Sequence, residues 1–301
     1  MRAPKIAIGF PSDAWPWGDR TVHLGLSIFP TEYSIQPAVL AQAAEVRGFE
    51  SLWLPEHSHI PVRRESAWPG GPEIPKVYYE VYEPFISLAA AAAVTTRLKL
   101  ATGICLVVQR DPLQTAKNVA TLDRISGGRF LFGIGAGWNA EEMRNHGTEF
   151  RARFGLLRER VLAMKALWSQ EQAEFHGRHV DFDPVFAWPK PVQRPHPPIH
   201  LGGGFPGAVK RAIAYGDGWM PIWGRDQILE RLPEVRAMLG AAGRDPDAFE
   251  ISIFGAPPKA DELARMRDAG VSRAVLSLPS VAANQVEPLL DRHAALVDQL
   301  H

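Results

Sequence analysis

Cysteine is all but missing: Cys105 is the single one in 301 residues. No disulfide can form within the chain. That excludes a disulfide-stapled scaffold and makes a reducing compartment the expectation. Net charge is missing too, since 33 Lys and Arg balance 33 Asp and Glu. Neither nucleic acid nor a membrane surface is therefore an expected partner. The longest apolar run, around Leu88 to Val94, is too short and alanine-rich to span a bilayer. The opening MRAPKIAIGF has no signal-peptide core, so the expected location is cytoplasmic. Repeats, low-complexity tracts and linkers are also lacking, and a single domain over 1–301 is expected.

What is there begins with LDRISGGRFLFGIGAGW, from Leu122 to Trp138. Leu122 and Ile125 close an apolar helical face. Ser126, Gly127 and Gly128 stop the helix, because glycine takes the left-handed conformation of a C-cap. Phe130 to Ile134 is an apolar run of the kind a doubly covered strand shows. Gly133, Gly135 and Gly137 follow in alternation. Missing side chains there would let a flat or phosphorylated ligand approach the backbone, or would simply form a tight turn. This is no dinucleotide fingerprint, as the third glycine of G-x-G-x-x-G would fall on Trp138. The later run Gly202-Gly203-Gly204-Phe205-Pro206-Gly207 does fit that spacing. A phosphate held by backbone N–H groups at a helix N-terminus explains it equally well.

Eight strand–helix units can be traced. The expected strands are Lys5 to Phe10, Ser51 to Leu54, Lys99 to Val107, Phe130 to Ile134, Pro198 to Leu201, Gly218 to Pro221, Glu250 to Phe254 and Arg273 to Leu278. Helices are expected over 37–47, 84–95, 112–125, 150–168, 208–215, 228–242, 260–269 and 286–300. Strict alternation with short apolar strands implies a parallel sheet, and eight units imply an α/β (β/α)8 TIM barrel with long loop insertions at its C-terminal face. An open doubly wound sheet is the alternative. The insertions are 58–83 and 169–197, both expected to lack regular structure, as lids and binding loops do.

The order of motifs resembles the bacterial luciferase-like superfamily of flavin- and deazaflavin-dependent oxidoreductases. The matching pieces are GFESLWLPEH (48–57), TRLKLATGICLVVQRDPLQTAKNVATLDRISGGRFLFGIGAGW (96–138), FGLLRERVLAMKALW (154–168), WPKPVQRPHPPIHLGGG (188–204) and YGDGWMP (215–221). Within the superfamily the chain looks most like the branch using the deazaflavin coenzyme F-420. The resemblance implies a ring bound at the C-terminal face. A bulge, often with a non-proline cis peptide, is implied at Gly103-Ile104, supporting the back of the ring. Cofactor contacts are implied at Ala136, Gly137 and Trp138, and at Gly202, Gly203 and Gly204. A small-molecule substrate and a homodimer are implied as well.

Glu56 and His57 end the second strand, where a barrel presents catalytic groups. An imidazole there can hydrogen-bond a reduced ring or move a proton during hydride transfer. A loop histidine bonded to a carbonyl is the plainer reading, and His59 is not separable from His57 by sequence. Glu56, His57 and His59 do not make a convincing metal set, and no metal is expected. Trp138, Trp219 and Trp223 either face a ring or fill the core. Arg63, Arg64 and Lys76 either meet the acidic tail of F-420 or sit solvated. Asp123 and Arg124 read as structural. Three functions remain: an F-420-dependent oxidoreductase, an FMN-dependent monooxygenase using oxygen and reduced flavin, and a non-catalytic flavin-binding barrel.

Overall fold

Apolar strands covered on both faces need helices on one side and a filled interior on the other. The computed structural model describes residues 21–300 and satisfies both needs. In chain order the elements are β1 (His23–Ser27), α1 (Pro37–Val46), β2 (Ser51–Leu54), α2 (Val77–Glu80), α3 (Pro84–Ala92) and β3 (Lys99–Thr102). Next come α4 (Pro112–Ser126), β4 (Phe130–Ile134), α5 (Ala140–Asn145), α6 (Arg153–Ser169), β5 (Gln172–His176) and β6 (Asp181–Phe186). The chain continues with β7 (Ile199–Gly202), α7 (Gly207–Tyr215), β8 (Gly218–Met220) and α8 (Ile228–Ala241). It ends with β9 (Glu250–Phe254), α9 (Ala260–Asp268), β10 (Arg273–Ser277) and α10 (Ala283–Leu300).

The strands β1, β2, β3, β4, β7, β8, β9 and β10 close a parallel barrel in that order, with β1 bonded to both β10 and β2. The expected (β/α)8 architecture is thus the observed one. Its first strand is not where the sequence placed it. His23–Ser27 closes the barrel, while the expected strand Lys5 to Phe10 lies outside the described residues. The third strand is also shorter than expected. Its ladder stops at Thr102, the Gly103–Ile104 peptide is cis, and Val107–Gln109 forms a 3-10 turn. The insertion 169–197 is not irregular throughout, because β5 and β6 pair there as an antiparallel hairpin.

Helix ends follow local chemistry. Asp111 accepts the Gln114 N–H at 2.8 Å before Pro112, and Gly127, at φ +69, closes α4. Asp123 is buried and accepts from the Val192 and Gln193 N–H groups at 2.7 and 3.0 Å. That fixes the start of the chain into β7, a structural role as expected.

Two cores result. A large apolar layer joins strands to helices. Inside the barrel, Trp53, Ala101, Leu131, Met220 and Val275 pack together, with Ile104 and Phe254 against them. The N-terminal end is sealed by charge. Arg273, 1% exposed, donates from Nε and Nη2 to the two Glu50 oxygens at 2.6 Å each. Its Nη1 donates to Glu250 at 3.1 Å and to Ser252 Oγ at 2.9 Å.

Candidate active site at the C-terminal mouth

Glu56 and His57 leave β2 side by side but face different partners. Glu56 is buried and accepts from the Leu106 N–H at 2.6 Å and from Arg110. Arg110 also pairs with Glu83 and lies over the Phe85 ring. Both Glu56 oxygens are thus engaged. Its position anchors the turn after Gly103–Ile104 rather than presenting a free carboxylate, which is not the catalytic placing expected of it.

His57 is arranged differently. Its Nδ1 lies 2.9 Å from Glu142 Oε2, and the two side chains are 7% and 0% exposed. With Glu142 as the acceptor, Nδ1 is the donor of this bond. Among the described residues Nε2 has no protein partner. Glu142 is held in turn at the start of α5, where the Asn139 side chain accepts its N–H at 3.1 Å. Its other oxygen, Oε1, is buried without a partner. The sequence reading missed Glu142, because a glutamate in a helical first turn reads as helix-dipole compensation. His59 has no free nitrogen: Nδ1 meets Ser58 Oγ and Nε2 meets Asn145 Nδ2, both at 2.9 Å. Geometry therefore separates two histidines that sequence did not.

The long 58–83 segment lies across this mouth. The Glu65 N–H donates to Glu141 at 2.9 Å, and Ser66 Oγ accepts the Ala140 N–H at 3.0 Å. At the far side, Arg225 donates to the Pro69 carbonyl at 3.0 Å. Tyr78 sits 5.2 Å and Trp138 6.0 Å from the His57 ring, centroid to centroid, and Trp68 meets Tyr78 edge-on at 5.5 Å. Tyr78 and Trp138 thus flank the His57 ring, and Trp68 packs on Tyr78. Lys76 of the same segment is paired with Glu80, and Arg63 is exposed. Arg64 keeps a buried Nε without a partner.

The glycines in and after β4 leave room for neighbouring groups. A Cβ at Gly133 would meet the Thr102 carbonyl oxygen at 2.0 Å, and one at Gly135 would meet Ile104 Cδ1 at 2.1 Å. At Gly137, φ +70, it would meet Met143 and Leu106 at 3.0 and 3.2 Å. These positions give their space to neighbours, and Ile104, which fills that at Gly135, also lies 3.0 Å from a Cβ at Gly202. Ile104 thus lies between the ends of β4 and β7, packed on the inner core.

The second glycine run is looser. Trp219 is buried and donates from Nε1 to the Gly203 carbonyl at 2.8 Å, so it is a core residue that supports the loop. Gly203 has φ +131. A Cβ at Gly204 would meet only the Asp226 carboxylate, at 2.9 Å. Asp226 accepts the Phe205 N–H at 3.0 Å. Trp223 is half-buried at the edge of the large core.

A hollow of about 470 Å³ lies between α3 and α4, and another of about 290 Å³ at the N-terminal end. Neither adjoins His57, so the mouth is marked by its chemistry rather than by size. Among the described residues no group of three His, Cys, Asp or Glu converges as a metal site would. No helix among them is long and apolar enough to cross a membrane.

A parallel eight-stranded barrel with a buried carboxylate–histidine pair at its C-terminal mouth has the build of an enzyme. The family model of luciferase-like monooxygenases matches residues 35–297, and the chain belongs to that family of oxidoreductases. It is 40% identical over 278 residues to the uncharacterized protein Rv0953c of Mycobacterium tuberculosis, covering 91% of this chain and 98% of the relative. It is 32% identical over 226 residues to an F-420-dependent glucose-6-phosphate dehydrogenase of Kineococcus radiotolerans, covering 72% and 61%. Over 159 residues it is 33% identical to an FMNH2-dependent dimethylsulfone monooxygenase of Pseudomonas putida, covering 51% and 43%. In fold it resembles the monooxygenase RslO1 of Streptomyces bottropensis, with a TM-score of 0.74 at 22% identity over 92% of this chain and 98% of that one. The F-420-dependent tetrahydromethanopterin reductase of Methanopyrus kandleri gives 0.73 at 18% identity, over 93% and 100%.

Proposed function

We propose that the protein is an F-420-dependent oxidoreductase acting on a small organic substrate at the C-terminal mouth. The observation that carries the reading is His57, its Nδ1 bonded to buried Glu142 and its Nε2 left for a ligand. The residues fit a flat cofactor. Ile104 offers an apolar floor, and Gly202, Gly203 and Gly204 form a cradle that a Cβ would crowd. Trp138 and Tyr78 offer aromatic faces, and Ala136 and Gly137 directly precede Trp138 in the chain. When bound, the deazaflavin supplies a hydride carrier that reacts poorly with oxygen.

The chain's own part is orientation and proton handling. Glu142 holds His57 in one tautomer, so that Nε2 accepts a proton from a substrate hydroxyl or returns one to a carbonyl. The 58–83 segment shields that exchange from water, which strengthens each polar contact within. Glu56 acts at one remove, by fixing the Leu106 amide and Arg110 beneath the floor. The Kineococcus relative, matched over more of this chain than the Pseudomonas one, favours F-420 over FMN. An oxygen electrode separates the two. Substrate-dependent oxidation or reduction of F-420 without oxygen uptake is expected. Oxygen uptake with reduced FMN would make the chain an FMN-dependent monooxygenase. Binding without turnover across a broad alcohol and aldehyde screen would leave a flavin-binding barrel.

The reading carries a homodimer with it. Ile86 of α3 and Ile125 of α4, 74% and 55% exposed, line one groove and suit a second copy. Sedimentation equilibrium tests it, and Ile86→Glu with Ile125→Glu is expected to give monomers.

A further inference from the structure

The helix α5 is short, yet both of its ends meet the start of the 58–83 segment. At its first turn the Ala140 N–H donates to Ser66 Oγ, Glu141 accepts the Glu65 N–H and Glu142 holds His57. At its other end Asn145 and the cap residue His146 reach the two residues that follow His57. Asn145 Nδ2 lies 2.9 Å from His59 Nε2, and His146 Nε2 lies 2.7 Å from Ser58 Oγ. Ser58 Oγ is also 2.9 Å from His59 Nδ1, and the His59 and His146 rings are 5.4 Å apart, centroid to centroid. The proposed proton exchange uses none of Ser58, His59, Asn145 and His146.

These contacts form a chain with one direction. The Asn145 amide nitrogen can only donate, so His59 Nε2 accepts. His59 Nδ1 then carries a hydrogen and donates it to Ser58 Oγ. The single hydroxyl hydrogen of Ser58 is left for His146 Nε2. Each link has one donor and one acceptor only while both imidazoles are neutral. Burial pulls His146 below its ordinary value of 6.5, and His59 adds to that. Glu142 and Glu56 oppose, and Arg110 works with burial. A group lowered in this way favours the linked arrangement fully above about pH 6.5, and the benefit is lost as pH falls through the lowered value.

An imidazole that exchanges a proton with a substrate must be fixed in direction as well as in tautomer. Glu142 fixes the His57 ring at Nδ1. Ser58, the next residue, fixes the peptide from which that side chain leaves, and its partner His146 lies one turn beyond Glu142. We infer that Asn145 and His146 are positioning residues for His57: through His59 and Ser58 they tie its backbone to α5, the helix that already holds its ring. The inference rests on the proposed role of His57.

Nitrogen-15 NMR of the full chain without cofactor, labelled at histidine, tests the tie directly. At neutral pH the wild type is expected to hold His57 in the single tautomer with its hydrogen on Nδ1. Asn145→Ala and His146→Ala should each admit the other tautomer. His146→Gln, whose side-chain oxygen can accept from Ser58 in place of Nε2, should not. In turnover of F-420 the two alanine variants should lower kcat about 3- to 10-fold with KM little changed, and His146→Gln should restore it. On the acid side of pH 6.5 the wild-type kcat should fall more steeply than that of His146→Gln, in which only His57 of the pair still takes up a proton. Unchanged His57 spectra in the alanine variants would overturn the tie. So would a loss that His146→Gln does not restore, or equal acid slopes. If one alanine variant does not fold, the other decides. If the wild type itself does not turn over F-420, the cofactor reading fails separately and the spectra alone judge the tie.

Discussion

His57 and Glu142 act as one unit, because the imidazole's free nitrogen is defined by what the other nitrogen holds. If Nε2 exchanges the proton, His57→Ala lowers turnover by roughly 10²-fold or more, the lower range for acid–base groups. His59→Ala has a smaller effect, since Ser58 and Asn145 occupy both its nitrogens. Steady-state kinetics on the pair decides, and equal losses would count against the assignment. Glu142→Leu removes the acceptor that fixes the ring. It should lower kcat more than it raises KM, and the isosteric Glu142→Gln should restore part of the loss. The glycines divide in a similar way. A valine at Gly203 would be strained at φ +131, at a cost of about 1–3 kcal/mol. A binding loss there would be mixed with a folding loss. Gly204→Ala, which need only displace the Asp226 carboxylate, is the cleaner probe. It should weaken cofactor binding with little change in unfolding temperature.

At the level of elements, the 58–83 segment is the piece whose length and composition stand out in the sequence and whose attachment does not. Prolines, aromatics and length marked a lid, but its anchors, Glu141, Ser66 and Arg225, became visible only in three dimensions. The Glu65 N–H holds the Glu141 carboxyl down at about 2, while partial burial opposes it. A depressed carboxylate adds stability above its ordinary value of 4.5 and loses it as pH falls toward 2. Proteolysis within 58–83 should therefore speed up below about pH 4.5, and Glu141→Ala should show the fast rate already at neutral pH. Helices and later strands were legible because capping residues and apolar runs are local. Asp111-Pro112 and Gly127 bound α4 almost where the sequence put it. The first strand was not, since His23–Ser27 carries a glycine and a weak apolar pattern. Only pairing with β10 and β2, distant along the chain, selects it. The hairpin β5–β6 left a faint trace in the alternation of Gln172 to His176 before Gly177.

Across the whole molecule the barrel sets charge at one end against chemistry at the other. Glu50 and Glu250 lie well below the ordinary carboxylate range. Burial alone would raise both. Arg273 overcomes it at Glu50, and the neighbouring His200 imidazole, with Nε2 3.2 Å from the carboxylate, does so together with Arg273 at Glu250. Their stabilisation is complete above about pH 4.5, the ordinary value, and falls as pH drops through the folded values. Arg273→Met strands the two carboxylates and should cost about 3–5 kcal/mol in urea unfolding. It should do so without altering cofactor affinity in the folded fraction, because Arg273 lies at the opposite end of the strands. The legible part of the site follows the same division. His57, Gly203 and Gly204 stood out by position after strands. Glu142 did not, because its pairing with His57 depends on elements that meet only on closure of the barrel. Which cofactor the mouth holds is the central question. A parallel equilibrium titration of the wild-type chain with coenzyme F-420 and with FMN tests it most directly. Tighter binding of F-420, with an affinity that drops as salt rises, is the predicted result. Comparable or tighter binding of FMN would contradict it.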